Sequence, residues 1–156
     1  MSSSLLVSQY LPGHWENVAE GAANAGRTAD RSQWRIARDI YVGPTPEVAR
    51  ERARAVMGRN YNNHQYANRL GSRLMEATKI DPAMPDEAVD VDYLMENLWI
   101  VGDPQECADK IRALYELTGG FGSLLTITQD ADEAAWDHEC LRLLIEEVGP
   151  RVADLT

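Results

Sequence analysis

Apolar residues recur at helical spacing from His14 to Ala25, where Trp15, Val18, Ala19, Ala22 and Ala23 predict a helix that Gly26 stops. A polar turn, 27–32, follows. The pattern then changes period: Ile36, Ile40, Tyr41 and Val42 predict a strand over Trp34–Val42, closed by Gly43-Pro44. Thr45-Pro46 opens the next helix, with threonine capping and proline in the first turn, and Val48, Ala49, Ala53 and Val56 carry its stripe. A further helical stretch is predicted over Tyr61–Thr78, with Gly71 its weak point. Residues 79–96 lack a period, hold Pro82 and Pro85 among many acids, and are expected to form a long, acidic, lid-like loop with room for one helical turn.

The last third is more regular. Leu98–Val101 predicts a short strand. Gly102-Asp103-Pro104-Gln105-Glu106 begins a helix, with Asp103 as cap and Glu106 reaching back to the cap amide. Cys107, Ala108, Ile111, Leu114 and Tyr115 form its apolar stripe, and Gly119-Gly120 ends it. Ser123–Thr128 predicts a third strand. Asp130 or Asp132 is expected to cap a final helix with Trp136, Cys140, Leu143, Leu144 and Val148 on its buried face. Strands alternating with helices of this length predict parallel βαβ units, with the three strands side by side in sequence order. Three strands leave two open edges, so the pattern reads as a piece of something larger.

Composition narrows the function. The 156 residues, 44% hydrophobic and 26% charged, suit one soluble domain. Acids outnumber bases 25 to 15, against a binder of nucleic-acid phosphates. No apolar run is long enough to span a membrane. Residues 1–10 lack the basic start of a secretory leader, so a cytoplasmic location is expected. Cys107 and Cys140 have neither CxxC spacing nor a histidine at metal spacing, and are read as buried, reduced thiols.

At this point the residues resemble a known family. Asn97-Leu98-Trp99-Ile100-Val101-Gly102-Asp103-Pro104-Gln105-Glu106-Cys107-Ala108 resembles the strand-to-helix turn of luciferase-like, flavin-dependent monooxygenases. Leu114 through Leu125 is similar to their next helix, glycine turn and last barrel strand. His14-Trp15-Glu16 through Ala25-Gly26-Arg27 resembles the helix before their sixth strand, and Trp34–Val42 that strand itself. The resemblance implies a partial (β/α)8 TIM barrel over residues 1–156, about the last three strands and their helices. A whole barrel needs ~250 residues and at least ~200. It further implies reduced FMN, supplied by a reductase, or a deazaflavin, reacting with dioxygen to oxidise a small organic substrate. The missing N-terminal half of the barrel, or self-association in a homo-oligomer, would complete the site. The alternative is a non-catalytic α/β domain that pairs through its sheet edges.

Barrel chemistry sits at the C-terminal ends of strands. The expected cofactor-binding residues are therefore Trp99, Val101, Gly102 and Gln129, with Trp99 a wall for the flavin ring and Gln129 a hydrogen-bonding edge. Ordinary packing and helix-start roles are the competing readings. Arg35 and Arg38, if they point inward, each need a partner: Asp39, another carboxylate or a phosphate. His14, His64 and His138 lie on separate helices and supply no metal site or evident catalytic group. Gly119-Gly120-Phe121-Gly122 lies between helix and strand, the wrong order for a dinucleotide fingerprint. Trp34, Ile36, Trp99 and Leu125 are expected on an exposed apolar face, and the isolated chain is expected neither to hold FMN tightly nor to turn over.

Overall fold

A computed structural model describes residues 1–65, 68, 73–129 and 131–155. Among the described residues three strands form one parallel sheet: β1 (Arg35–Val42), β2 (Ile100–Gly102) and β3 (Ser123–Ile127). The strands are parallel, as the alternation predicts, but their order is β2-β1-β3 rather than the sequence order expected above. The reason is length and burial. β1 has eight residues, all but Arg35 buried, and neither neighbour is long enough to cover an edge alone. β2 pairs only with its C-terminal end, from Ile40↔Ile100 to Val42↔Gly102. β3 takes the opposite edge, from Arg35↔Ser123 to Asp39↔Ile127.

The N-terminus completes the edge that β2 leaves open. Ser2 donates its amide to Arg35 O at 2.8 Å and accepts from the Ala37 amide at 3.0 Å. Further along the same edge, the Gly43 amide donates to Gly102 O at 3.0 Å. Trp34 O faces the other way and accepts from the Gly122 amide at 2.9 Å. A buried strand must satisfy its amides and carbonyls, and β1 does so with three separate segments.

Helices α1 (Leu11–Asn24) and α2 (Pro46–Ala53) flank β1 in sequence. Thr45 caps α2 as expected, its hydroxyl accepting from the Val48 amide. The stretch Tyr61–Thr78 is helical at Tyr61–Gln65 and in α3 (Arg73–Thr78), whereas residues 66, 67 and 69–72, including Gly71, lie outside the described residues. The expected loop over 79–96 is corrected: α4 (Val91–Asn97) occupies its second half, capped by Asp90, whose carboxylate accepts from the Tyr93 amide. Val89, Leu94 and Met95 are buried there, so an aperiodic acidic sequence conceals a short helix anchored by three apolar contacts.

Helix α5 (Pro104–Thr118) begins as the sequence predicts, with Asp103 accepting from the Glu106 amide at 2.8 Å, and ends at Gly119 in the left-handed region. Glu106 does not reach back to the cap. Its carboxylate takes Arg50 at 3.0 Å and ties α5 to α2. Helix α6 (Ala134–Leu143) follows β3 and continues through a π-helical stretch into α7 (Gly149–Val152). The expected cap at Asp132 is also corrected. Glu133 holds the cap position without a side-chain bond, Asp132 pairs with Arg59, and Asp130 lies outside the described residues.

Two apolar clusters follow from this arrangement. The larger joins β1 and β2 to α2, α4, α5 and α6 through Ile40, Val42, Ala53, Leu94, Val101, Ile111 and Cys140. The smaller gathers Leu6, Leu11, Trp34, Ile36 and Leu114. Trp34, Ile36 and Trp99, expected on an exposed face, are therefore buried, and only Leu125 of the four is exposed, at 38%. Residues Leu6 and Leu11 close over Trp34 and Ile36, and Tyr61 meets Trp99 edge-on at 6.3 Å. Arg31 stacks 4.6 Å from the centre of the Trp15 ring and donates to the carbonyls of Thr118 and Gly120, fixing the turn into β3. No helix among the described residues is long and apolar enough to cross a membrane.

That turn is sterically sealed. A Cβ on Gly122 would lie 1.7 Å from the Ser32 carbonyl oxygen, a backbone atom that cannot rotate away. Gly122→Ala should cost about 3 kcal/mol or more, or prevent β3 from docking. Urea denaturation with circular dichroism tests this, and a variant as stable as the parent would contradict the β1–β3 pairing.

Candidate functional site

The strand ends converge on one polar group. Consecutive strand residues point to opposite faces, so Arg38 and Asp39 part company on β1. Asp39, buried, accepts from Gln129 Nε2 at 3.4 Å just beyond the end of β3. Gln129 in turn accepts through Oε1 from the Asn60 side chain, which arrives from the helical segment after β1. Beside it a cavity of about 110 Å³ is lined by Tyr41, Thr128, Gln129, Asp137 and Cys140. Arg59 and Asp132 pair nearby in sequence, linking the post-β1 segment to the start of α6.

Tyr41 stands out in this group. Its hydroxyl is buried without a hydrogen-bond partner among the described residues. Burial, reinforced by the nearby Cys140, pushes its pKa from 10.0 up to about 12, so it stays protonated. Arg52, close to the hydroxyl, opposes this shift, while its guanidinium also pairs with Glu139 at 2.6 Å and lies 5.0 Å from the Trp136 ring centre. A cavity of this size admits a few waters, each a potential partner for an orphan hydroxyl.

The four residues expected at a cofactor do not come together. Gln129 belongs to the strand-end group. Trp99 is 6% exposed and lines a different cavity, of about 190 Å³, with Arg38, Leu98 and Lys110. Val101 is enclosed in the larger core, and Gly102 packs under Glu106, whose carboxylate would lie 2.5 Å from any added Cβ. Arg35 is exposed at the start of β1, whereas Arg38 is buried and donates to Ser3 O, Ala37 O and Ser8 Oγ. Sequence reasoning missed Tyr41 and Asn60. Tyr41 looked like any strand-forming aromatic, and nothing in a helical Asn60 signals a partner 69 residues away.

The thiols are structural in placement. Burial pushes Cys107 from 9.0 up to about 12 and raises Cys140 as well. Cys140 Sγ accepts from the Val42 amide at 3.3 Å, and Cys107 Sγ sits 3.6 Å from Gly102 O. His14 Nδ1 lies 3.3 Å from Ser2 Oγ, and the His64 side chain lies outside the described residues. Among the described residues no group of three metal-ligating side chains forms.

Comparison with known proteins completes the description. Residues 14–120 match the family model for luciferase-like monooxygenases. The chain is 32% identical over 148 residues to 3,6-diketocamphane 1,6-monooxygenase of Pseudomonas putida, covering 91% of this chain and 38% of that protein. It is 29% identical over 145 residues to limonene 1,2-monooxygenase of Rhodococcus erythropolis, covering 90% and 34%. A solved structure of the oxygenating constituent of 3,6-diketocamphane monooxygenase, a type II Baeyer–Villiger monooxygenase in complex with FMN, superposes with a TM-score of 0.81 at 29% identity. That superposition covers 90% of this chain and 39% of the other. The chain thus spans about two fifths of the length of relatives such as these.

The buried acids Tyr41 and Cys107 set an alkaline limit on stability. Both have folded pKa values raised to about 12, above their ordinary 10.0 and 9.0. The neutral forms favour the folded state, so their contribution is complete below about pH 9 and is lost as the pH rises toward 12. Urea midpoints in reductant should fall across that window. Tyr41→Phe combined with Cys107→Ala should flatten the fall, and parallel pH curves for parent and variant would rule the assignment out.

Proposed function

The chain belongs to the luciferase-like monooxygenase family, and we propose that it supplies the C-terminal part of a (β/α)8 barrel in an FMN-dependent monooxygenase. The observation that carries this reading is the superposition onto two fifths of an FMN-bound monooxygenase at a TM-score of 0.81. The substrate class follows from relatives named for diketocamphanes and limonene: a small, largely apolar organic molecule. Bound flavin would supply the oxygen chemistry in the complete enzyme.

The described residues do not fit a flavin by themselves. Four of their cavities measure about 110, 190, 290 and 320 Å³, so even the largest of these only reaches the roughly 300 Å³ floor for small-molecule sites. The largest of the four is lined by Asp90 and Asp92 with Arg54, whose guanidinium is already taken by Asp92 at 2.8 Å, which leaves a net negative lining for a phosphate. The apolar one, between Ile111, Tyr115, Leu124, Leu144 and Val148, has no cation in its lining. No catalytic step is therefore assigned to these residues. Gln129, tied to Asn60 and Asp39 at a strand end, is the member of the expected set best placed to reach a ligand shared with the rest of a barrel. Trp99 and Val101 belong to the larger apolar core, and Gly102 packs under Glu106.

A second reading, a non-catalytic domain that pairs through its sheet, is favoured by one feature. β3 lies at the edge of the sheet, with Ser123, Leu125 and Thr126 exposed. The two readings part on flavin. Titrating FMN into the purified chain should leave flavin fluorescence unchanged at micromolar protein. Adding the polypeptide that corresponds to the relatives' remaining three fifths should restore saturable binding. Micromolar FMN affinity in a chain that sediments as a monomer would overturn the shared-site proposal. A stable dimer that stays indifferent to FMN with that polypeptide present would favour the second reading.

A further inference from the structure

Cations in this acidic chain generally find carboxylates. Arg50 takes Glu106, Arg52 takes Glu139, and Arg112 takes Asp154. Lys79, the other deeply buried cation, is held by two, Glu76 and Asp86. Burying a charge is costly unless it is paired, so this is the expected arrangement.

Arg38 and Lys110 depart from it. Arg38 is 1% exposed, deep in β1, and its guanidinium meets only the carbonyls of Ser3 and Ala37 and the Ser8 hydroxyl. Lys110 is half-buried on α5, and its ammonium meets only the carbonyls of Met95 and Val101, at 3.3 and 3.0 Å. Among the described residues neither has a carboxylate within 4.0 Å. Both line the same cavity of about 190 Å³, with Ser8, Asn97 and Trp99. Burial pulls both cations below their ordinary pKa, Arg38 to about 10, against the more distant pull of Asp39 on Arg38 and of Glu106 and Glu96 on Lys110.

We propose that this cavity is a binding site for a small tetrahedral oxyanion of the phosphate or sulfate class, received between Arg38 and Lys110. A water's share of liquid volume is roughly 30 Å³, so the cavity has room for such a group. Arg38 is pre-positioned by its three oxygen partners and loses little freedom on binding. The Ser8 hydroxyl and the Asn97 amide add neutral donors. Exposed Glu96 also lines the cavity and opposes an anion by repulsion, and it acts on Lys110 through space without an ion pair within 4.0 Å. The site is separate from the strand-end group around Gln129 and stands or falls independently of any flavin.

Phosphate, sulfate and chloride are titrated at matched ionic strength into the 156-residue chain, read by thermal melting and calorimetry. Phosphate and sulfate should raise the melting temperature in a saturable way, and chloride should not, because a ligand bound only by the folded state stabilises it in proportion to occupancy. Lys110→Met, at a half-buried position where folding should persist, should weaken the response at least tenfold. Glu96→Gln, at the surface, should strengthen it several-fold. Glycerol phosphate in parallel separates a free oxyanion from the end of a phosphate ester. Equal effects of phosphate and chloride, or a phosphate response unchanged in Lys110→Met, would overturn the proposal, as would weaker binding in Glu96→Gln.

Discussion

One strand organises this molecule because its backbone must be satisfied on both edges while buried on both faces. β1 is eight residues long and enclosed after its first position, so every amide and carbonyl left unpaired there would carry a desolvation cost. No single neighbour matches its length. The fold meets the demand in parts: β3 along the lower stretch of one edge, β2 on the upper stretch of the other, and Ser2 beneath β2. The helices are then placed by the connections between these segments, and the two apolar clusters form where they close over β1. The order β2-β1-β3 follows from that requirement, not from the sequence in which the strands occur.

Local chemistry was legible in the sequence wherever cause and effect sit a few residues apart. Thr45 and Asp103 cap as their spacing indicates, and Gly119 ends α5 in the left-handed region for the reason glycine is used there. The three strands are where β-branched and aromatic residues cluster. Non-local choices were not legible. Glu106 has two chemically sensible partners, and only the approach of α2 decides for Arg50. Asp132 reads as a helix cap until Arg59 comes within reach. Helix α4 is hidden because its apolar contacts, Val89, Leu94 and Met95, are too few to impose a period on an acidic stretch.

The site was legible only in outline. At the strand ends, Gln129 sits in a polar group with Asp39 and Asn60. The remaining members come from elsewhere, and no spacing rule joins Asp39, Asn60 and Gln129. Trp99 shows the difficulty. An aromatic beside a strand end suits a ligand wall and a packed core equally well, and only the fold shows that Tyr61 meets this one edge-on. Family resemblance rests on turns and strands that persist whether or not the rest of a barrel is present. It therefore carries the class of chemistry further than it carries individual residues.

The separation between β1 and its partners along the chain also governs how the molecule comes together. β3 meets β1 about 90 residues after β1 is made, and β2 about 60 residues after it. During synthesis, at roughly 5–20 residues per second, the central strand would wait several seconds with its β3 edge bare. Closing so long a loop costs little more free energy than closing a shorter one, since the entropy grows only logarithmically. It takes longer to find, however, and the waiting edge is parallel-pairing, apolar and open to strangers. The vulnerable period of this polypeptide is thus its own biosynthesis, when a strand that will become its most enclosed element is the most available one.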